Sequence, residues 1–174
     1  MSIPVIDISA DTLELRLSEF AEVLHAAVLD GASVGFIVPF SFAEAEGFWR
    51  NRILPALREG GLILLAIEEG GRIVGTVQLD YNTPANQPHR AEVRKMLVHP
   101  AYRRKGYARA LMVELERRAR ALKRSLLTLD TRTGDKAEPL YASLGYEVTG
   151  IIPDFCRDTL SDRLDPTTIM YKRL

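Results

Sequence analysis

A short basic stretch, Val98–Ala110, combines residue types that could bind a phosphorylated ligand. An apolar run ends at its first residue, and helical periodicity begins after Gly106, which predicts a strand, a loop and a helix in that order. The first N–H groups of a helix have no intrahelical partners and lie at the positive end of its dipole, so they bind anions. Glycine permits close approach of a ligand to the backbone. Positive charge comes from Arg103, Arg104 and Lys105. A diphosphate site and a solvated basic loop that caps an ordinary helix are both compatible with these residues.

The spacing of the residues in this stretch favours the diphosphate site. Arg103-x-x-Gly106-x-Ala108 directly follows a strand that ends in Val-x-Pro, and this arrangement resembles the pyrophosphate-binding loop of the GNAT family of N-acetyltransferases. No Gly-Lys-Ser/Thr follows, as a P-loop would require, and only one glycine of a dinucleotide fingerprint is present. The resemblance implies acetyl-CoA as co-substrate. It assigns cofactor binding to Met96, Leu97, Val98, Arg103, Arg104, Lys105, Gly106, Tyr107, Ala108, Arg109 and Thr131.

Three further side chains are candidates for acid–base catalysis. Glu92 lies at the polar start of the strand that leads to the loop, and Asp130 ends a later buried strand. Either carboxylate could take a proton from an acceptor amine, and either could instead have a structural role, pairing with a neighbouring arginine or capping a turn. Tyr141 lies in the segment Leu140-Tyr141-x-x-x-Gly145-Tyr146, which also matches the family. The resemblance makes it the acid that protonates the departing coenzyme thiolate, and amphipathic packing is its alternative role.

The acceptor site is less strongly indicated by the sequence. Aromatic residues before the first long strand could form one wall of an acceptor pocket, and acidic residues in a late loop could attract a cationic or zwitterionic acceptor. Core packing is the alternative for the aromatic residues, and a solvated face is the alternative for the acids. The candidates are Phe36, Trp49 and Asp154.

The elements that must position these residues are seven strands with helices between some of them. Apolar or alternating runs predict strands at about 5–8, 62–67, 73–79, 90–98, 126–131, 146–152 and 167–172. Two helical stripes lie between the first and second strands. One more lies between the fourth and fifth strands, and another between the fifth and sixth. The crossover between the fourth and fifth strands predicts a right-handed βαβ unit with a parallel pair. We therefore predict an α/β fold with a mixed, mostly antiparallel sheet of about seven strands and flanking helices, in which the central parallel pair splays apart as in the GNAT family.

Composition limits the remaining possibilities. Lys plus Arg and Asp plus Glu each total 23, so the chain lacks the basic excess of a nucleic-acid-binding surface. No apolar run is long enough for a membrane span, and the histidines and acids have no metal-ligand spacing, so we expect neither a membrane partner nor a metal. The single Cys156 excludes an intrachain disulfide. We expect one domain over residues 1–174, a cytoplasmic location, and a monomer or a homodimer paired through a late edge strand.

Within the family, residues 88–174 resemble the tabtoxin-resistance acetyltransferases. The resemblance rests on His89-Arg90-Ala91-Glu92-Val93, Leu129-Asp130-Thr131, the Ala137-Glu138 helix start and Pro166-Thr167. It favours direct transfer of an acetyl group, in a ternary complex, to a small primary amine or hydroxyl acceptor that is amino acid-like. The alternatives are transfer to a protein or peptide amine, and a module that binds acyl-CoA without turnover.

Overall fold

One mixed sheet organises the part of the chain that the structure, a computed structural model, describes, residues 3–174. The strands are β1 (Ile6–Asp7), β2 (Leu62–Glu69), β3 (Arg72–Asp80), β4 (Arg90–Val98), β5 (Leu126–Arg132), β6 (Glu147–Arg157) and β7 (Leu164–Arg173). Their spatial order is β1-β2-β3-β4-β5-β7-β6. Among the strands of residues 3–174, only β4 and β5 pair in parallel, so the predicted mixed and mostly antiparallel sheet is confirmed.

Helices cover both faces of the sheet. They are α1 (Ala10–Leu15), α2 (Leu17–Leu29), α3 (Phe42–Phe48), α4 (Leu54–Glu59), α5 (Tyr107–Ala121) and α6 (Ala137–Ser143). A π-helical turn, Trp49–Ile53, joins α3 to α4, and a 3₁₀ turn, Pro100–Tyr102, precedes α5. The π-helical turn directly precedes Pro55, which has no N–H for the regular helical ladder.

Two hydrophobic clusters form the core, one on each face. The first joins α1 to α4 with β2 and includes Phe20, Trp49 and Leu64. The second packs α5 against β2 to β5 and includes Leu111 and Leu129. The strand β2 contributes to both clusters, which explains why its sequence is apolar on both faces.

The central parallel pair separates near its middle. Pairing between β4 and β5 extends from Arg90 opposite Leu126 to Glu92 opposite Thr128, and ends there. Beyond that point, β4 contains a bulge in which Lys95 and Met96 together lie opposite Val77 of β3. The bulged Lys95 has a φ of 49°. The predicted splay is therefore present, and a gap opens between the carboxyl ends of the two strands.

The last antiparallel pair is longer than the sequence pattern predicts. We expected a loop from Pro153 to Pro166, but β6 continues to Arg157 and β7 begins at Leu164. A register shift between Ile152 and Cys156 accommodates Pro153 within the strand, because a bulge tolerates a residue without an N–H. The strand β6 is the edge of the sheet, and nearly all of it is exposed.

Candidate active site

A cavity of about 830 Å³ occupies the gap between β4 and β5. Its walls come from the loop after α2, the ends of β4 and β5, the loop before α5, and the α6 region. Most of the residues that the sequence assigns to a site line this one cavity. They are Glu92, Met96, Leu97, Val98, Arg103, Arg104, Gly106, Tyr107, Ala108, Arg109, Asp130, Thr131 and Tyr141.

The backbone at the start of α5 is arranged to bind an anion. Gly106 is the N-cap residue in a left-handed conformation, with a φ of 83°, and no side chain caps the helix there. Arg104 also has a positive φ, 64°. Because no capping side chain occupies them, the N–H groups of the first turn of α5 can bind a ligand oxygen at the cavity wall.

The basic side chains of this loop differ in what they contact. Arg103 donates from Nε to the Val98 carbonyl at 3.3 Å and forms an ion pair with Asp30. Lys105, which the sequence assigns to cofactor binding, does not line the cavity. Its ammonium donates to Glu69 at 2.7 Å, and the Tyr107 hydroxyl donates to the same carboxylate at 2.6 Å. Hydrogen bonds from Lys105 first, and then Tyr107, lower the pKa of Glu69.

The two candidate carboxylates lie on either side of the gap. Glu92 is the last residue of β4 that pairs with β5, and its nearest cation is Arg90, at 4.0 Å from Oε2. That arginine donates to Gln87 and Thr128 at 2.8 Å each, so Glu92 is only weakly paired. Asp130 lies on β5 beyond the end of the parallel pairing, is exposed to the cavity, and accepts from the Thr167 hydroxyl at 3.3 Å.

Tyr141 reaches the cavity from α6 and is otherwise buried, with 6% of its surface exposed. Burial raises the pKa of its phenol, and the negative charges of Asp135 and Asp130 raise it further. The hydroxyl therefore stays protonated at neutral pH and can donate a hydrogen bond into the cavity.

A main-chain donor faces the same gap. His99 donates its N–H to the Val74 carbonyl of β3 at 2.9 Å. Because N–H groups of successive strand residues point in opposite directions, the N–H of Val98 points away from β3 and towards the gap. This group is placed to polarise a carbonyl oxygen, as an oxyanion-hole donor does.

Lys95 lines the cavity and was missed by the sequence reasoning. Strict alternation along β4 would place it on the face of Val93, under α5, but the bulge turns it to the opposite face. There its ammonium lies 6.0 Å from the ring centroid of Phe36 and 5.8 Å from that of Phe48. The sequence pattern carries no signal for the bulge, so this residue could not be found from periodicity.

The three predicted acceptor residues do not line the cavity. Trp49 is fully buried between Phe20 and Phe48, with ring centroids 5.1 and 5.4 Å away, and belongs to the core. Phe36 is half-buried and packs on the first core cluster, where it supports Lys95.

Asp154 lies on exposed β6 with a φ of 50°. The bulge of that strand directs the next two residues, Phe155 and Cys156, to the cavity instead. This part of the chain therefore reaches the cavity through Phe155 and Cys156 and not through the predicted Asp154.

Residues 3–174 contain no group of three or more His, Cys, Asp or Glu side chains that could hold a metal ion. Within the same range, none of the helices combines the length and apolar character that a membrane crossing requires.

The splayed parallel pair and the anion-binding helix start define a class of α/β enzyme that holds a phosphorylated co-substrate between two strands. The family model described as the acetyltransferase (GNAT) family matches residues 33–146, and the chain belongs to this family. It is an acetyltransferase of the acyl-CoA N-acyltransferase type.

Solved structures share the fold. A GNAT superfamily phosphinothricin acetyltransferase from Sinorhizobium meliloti, in complex with acetyl-CoA, has a TM-score of 0.80 at 21% identity, covering 100% of this chain and 89% of that one. Ribosomal-protein-alanine N-acetyltransferase from Brucella melitensis has a TM-score of 0.76 at 22% identity, covering 99% and 100%. An N-acetyltransferase from Staphylococcus aureus Mu50 has a TM-score of 0.77 at 15% identity, covering 99% of each chain.

Proposed function

We propose that this chain, as a single domain, transfers the acetyl group of acetyl-CoA directly to a small primary amine or hydroxyl acceptor of amino acid-like chemistry. The observation that carries the proposal is the shared cavity. One space between β4 and β5 is lined by the uncapped start of α5, by both candidate carboxylates and by the Tyr141 side chain.

The cavity residues fit the co-substrate. The first-turn N–H groups of α5, with Gly106 as their N-cap, would hold the diphosphate, and Arg103, Arg104 and Arg109 would add positive charge at the same wall. Thr131 and the β4 residues Met96 to Val98 would line the thioester-bearing arm. Acetyl-CoA, when bound, supplies the acetyl group as a thioester.

Each catalytic side chain would then hold or move one proton. An alkyl amine is mostly protonated at neutral pH, with a pKa near ~10, so a carboxylate must take a proton before the amine can attack. Glu92 or Asp130 would take it, directly or through water. The Val98 N–H would polarise the thioester carbonyl. Tyr141 would donate a hydrogen bond to the departing thiolate, whose pKa of ~8.5 makes this help useful but not essential.

Three likenesses bear on the acceptor, the first a resemblance in sequence and the other two likenesses to solved structures. The likeness to the tabtoxin-resistance acetyltransferases over residues 88–174, and the structural likeness to a phosphinothricin acetyltransferase, both favour a small acceptor that resembles an amino acid. The second candidate is a protein or peptide amine, favoured by the likeness to ribosomal-protein-alanine N-acetyltransferase.

A thiol-release assay tests the proposal. Coenzyme A production would be measured with acetyl-CoA and a panel of amino acids, β-lactams, polyamines, aminoglycosides and short peptides. We expect turnover with at least one small amine, and a loss of about 10²–10⁴-fold in kcat/KM for either Glu92→Gln or Asp130→Asn, whichever removes the base.

Matched controls separate chemistry from general damage. Tyr171→Phe removes a phenol that donates to Glu147 at 3.0 Å, and Glu59→Gln removes an exposed carboxylate at the end of α4. Both should behave like the parent. If Tyr141→Phe, Glu92→Gln and Asp130→Asn all match the parent on its best acceptor, the catalytic assignments are wrong. If peptides alone are acetylated, the second candidate is correct.

A further inference from the structure

Lys95 places a positive charge at the acceptor end of the cavity. Its side chain is half-buried and lies near the rings of Phe36 and Phe48, which come from the helical layer on one face of the sheet. A Cβ atom at Gly35, in the loop after α2, would lie 3.7 Å from its ammonium. Aromatic rings and a glycine therefore surround the ammonium on this side.

Within the part of the chain that the structure describes, the ammonium has no anionic partner. Among residues 3–174, no carboxylate lies within ion-pair distance of Lys95, and no side-chain hydrogen bond involves it. Burial lowers the pKa of Lys95, and nearby Arg94 lowers it further, while the charges of Asp130 and Glu92 act in the opposite direction. A partly buried charge without a partner is costly, and a ligand that supplies the opposite charge recovers that cost.

The location points to the acceptor and not to the diphosphate. The two carboxylates whose charges act on Lys95 are those placed to take the proton of the acceptor amine. The diphosphate position, at the start of α5, is formed instead by Gly106 and the basic loop. An acceptor bound with its amine at Glu92 or Asp130 would therefore bring its neighbouring substituent to Lys95.

We propose that Lys95 determines acceptor specificity by binding a carboxylate carried by the same small molecule as the reactive amine. The acceptors are then zwitterionic amino acids, with the cationic amine at Glu92 or Asp130 and the anionic group at Lys95. This inference rests on the proposed function and names the substrate class of the same site.

The test compares acids with their esters. The proteinogenic L-amino acids and phosphinothricin would each be assayed beside the α-methyl ester, in the parent and in Lys95→Gln. We expect the ratio of kcat/KM for acid over ester to fall about 10- to 100-fold in the variant, because a hydrogen bond between two charged groups is lost. Comparing this ratio between parent and variant cancels differences in folding, in coenzyme binding and in amine basicity.

Two further variants act as controls. Lys123→Gln changes another lysine with positive φ, 56°, which is exposed after α5 and outside the cavity, and should keep the parent ratio. Lys95→Arg keeps the charge and should retain most of the preference for acids. An equal loss for acids and esters would overturn the inference and leave the proposed function standing. A parent that acetylates no amine would refute the proposed function, and the inference with it.

Discussion

Replacing Gly106 with alanine should lower the stability of the protein, weaken coenzyme binding, or do both, through backbone strain alone. Gly106 has a φ of 83°, where an L-residue costs about 1–2 kcal/mol more than glycine. The added Cβ would lie 3.4 Å from Cδ1 of Ile3, which is an acceptable contact, so direct clash adds little. If alanine keeps the left-handed conformation, the melting temperature should fall by roughly 2–8 °C.

The alternative for the variant is to relax the strain by turning the peptide. The N–H groups at the start of α5 would then point away from the diphosphate. Losing one hydrogen bond to a charged oxygen costs about 1.5–3 kcal/mol, which raises the Kd roughly 10- to 150-fold. We therefore expect a lower melting temperature in the absence of ligand, weaker coenzyme A binding, or a smaller change in each.

Isothermal titration calorimetry with coenzyme A and with pantetheine, which lacks the diphosphate, separates these effects. Gly71→Ala is the matched control, because Gly71 has a φ of 79° in the β2–β3 turn and its Cβ would meet nothing within 4 Å. That variant should lose similar stability but keep coenzyme affinity. If Gly106→Ala weakens pantetheine as much as coenzyme A, or leaves both Kd and melting temperature unchanged, the assignment of this backbone to the diphosphate is refuted.

Three other predictions follow from the same structure. In steady-state assays, Tyr141→Phe should lower kcat by on the order of 10²-fold or less, with little change in the KM for acetyl-CoA. If kcat is unchanged, the role of Tyr141 is packing and not catalysis. Trp49→Ala should reduce the free energy of unfolding by about 3–5 kcal/mol in urea titrations, because the indole is fully buried. If the KM for the acceptor changes and the stability does not, Trp49 is an acceptor-site residue. Hydrogen bonds from Arg117 and Arg118 lower the pKa of Glu114 to about 2. Because the folded-state pKa is depressed, the stabilisation is present above the unfolded pKa of ~4.3 and is lost as the pH falls towards 2. Urea unfolding should therefore show Glu114→Gln less stable than the parent by about 1 kcal/mol or less near neutral pH, and equal to it near pH 2.

The sequence by itself determined the features that depend on near neighbours in the chain. Ser41 and Glu44 form a capping box, Gly70 and Gly71 turn a hairpin, and the strand–loop–helix around Gly106 forms where the pattern predicts it. Each is set by local hydrogen bonding or by backbone conformation, so residue type and spacing are sufficient. The sequence also predicted the parallel pairing of β4 and β5, because a helical crossover of this length joins parallel neighbours.

Tertiary structure alone decided which side chains meet in the cavity. The sequence assigns Lys105 to cofactor binding, but Glu69 is brought to it from the β2–β3 hairpin, 36 residues away. Trp49 is drawn into the core by Phe20. Lys95 enters the cavity because one extra residue in β4 reverses the side-chain alternation. These outcomes depend on contacts between distant segments and on a bulge with no local sequence signal, so no pattern within a single strand or helix could specify them.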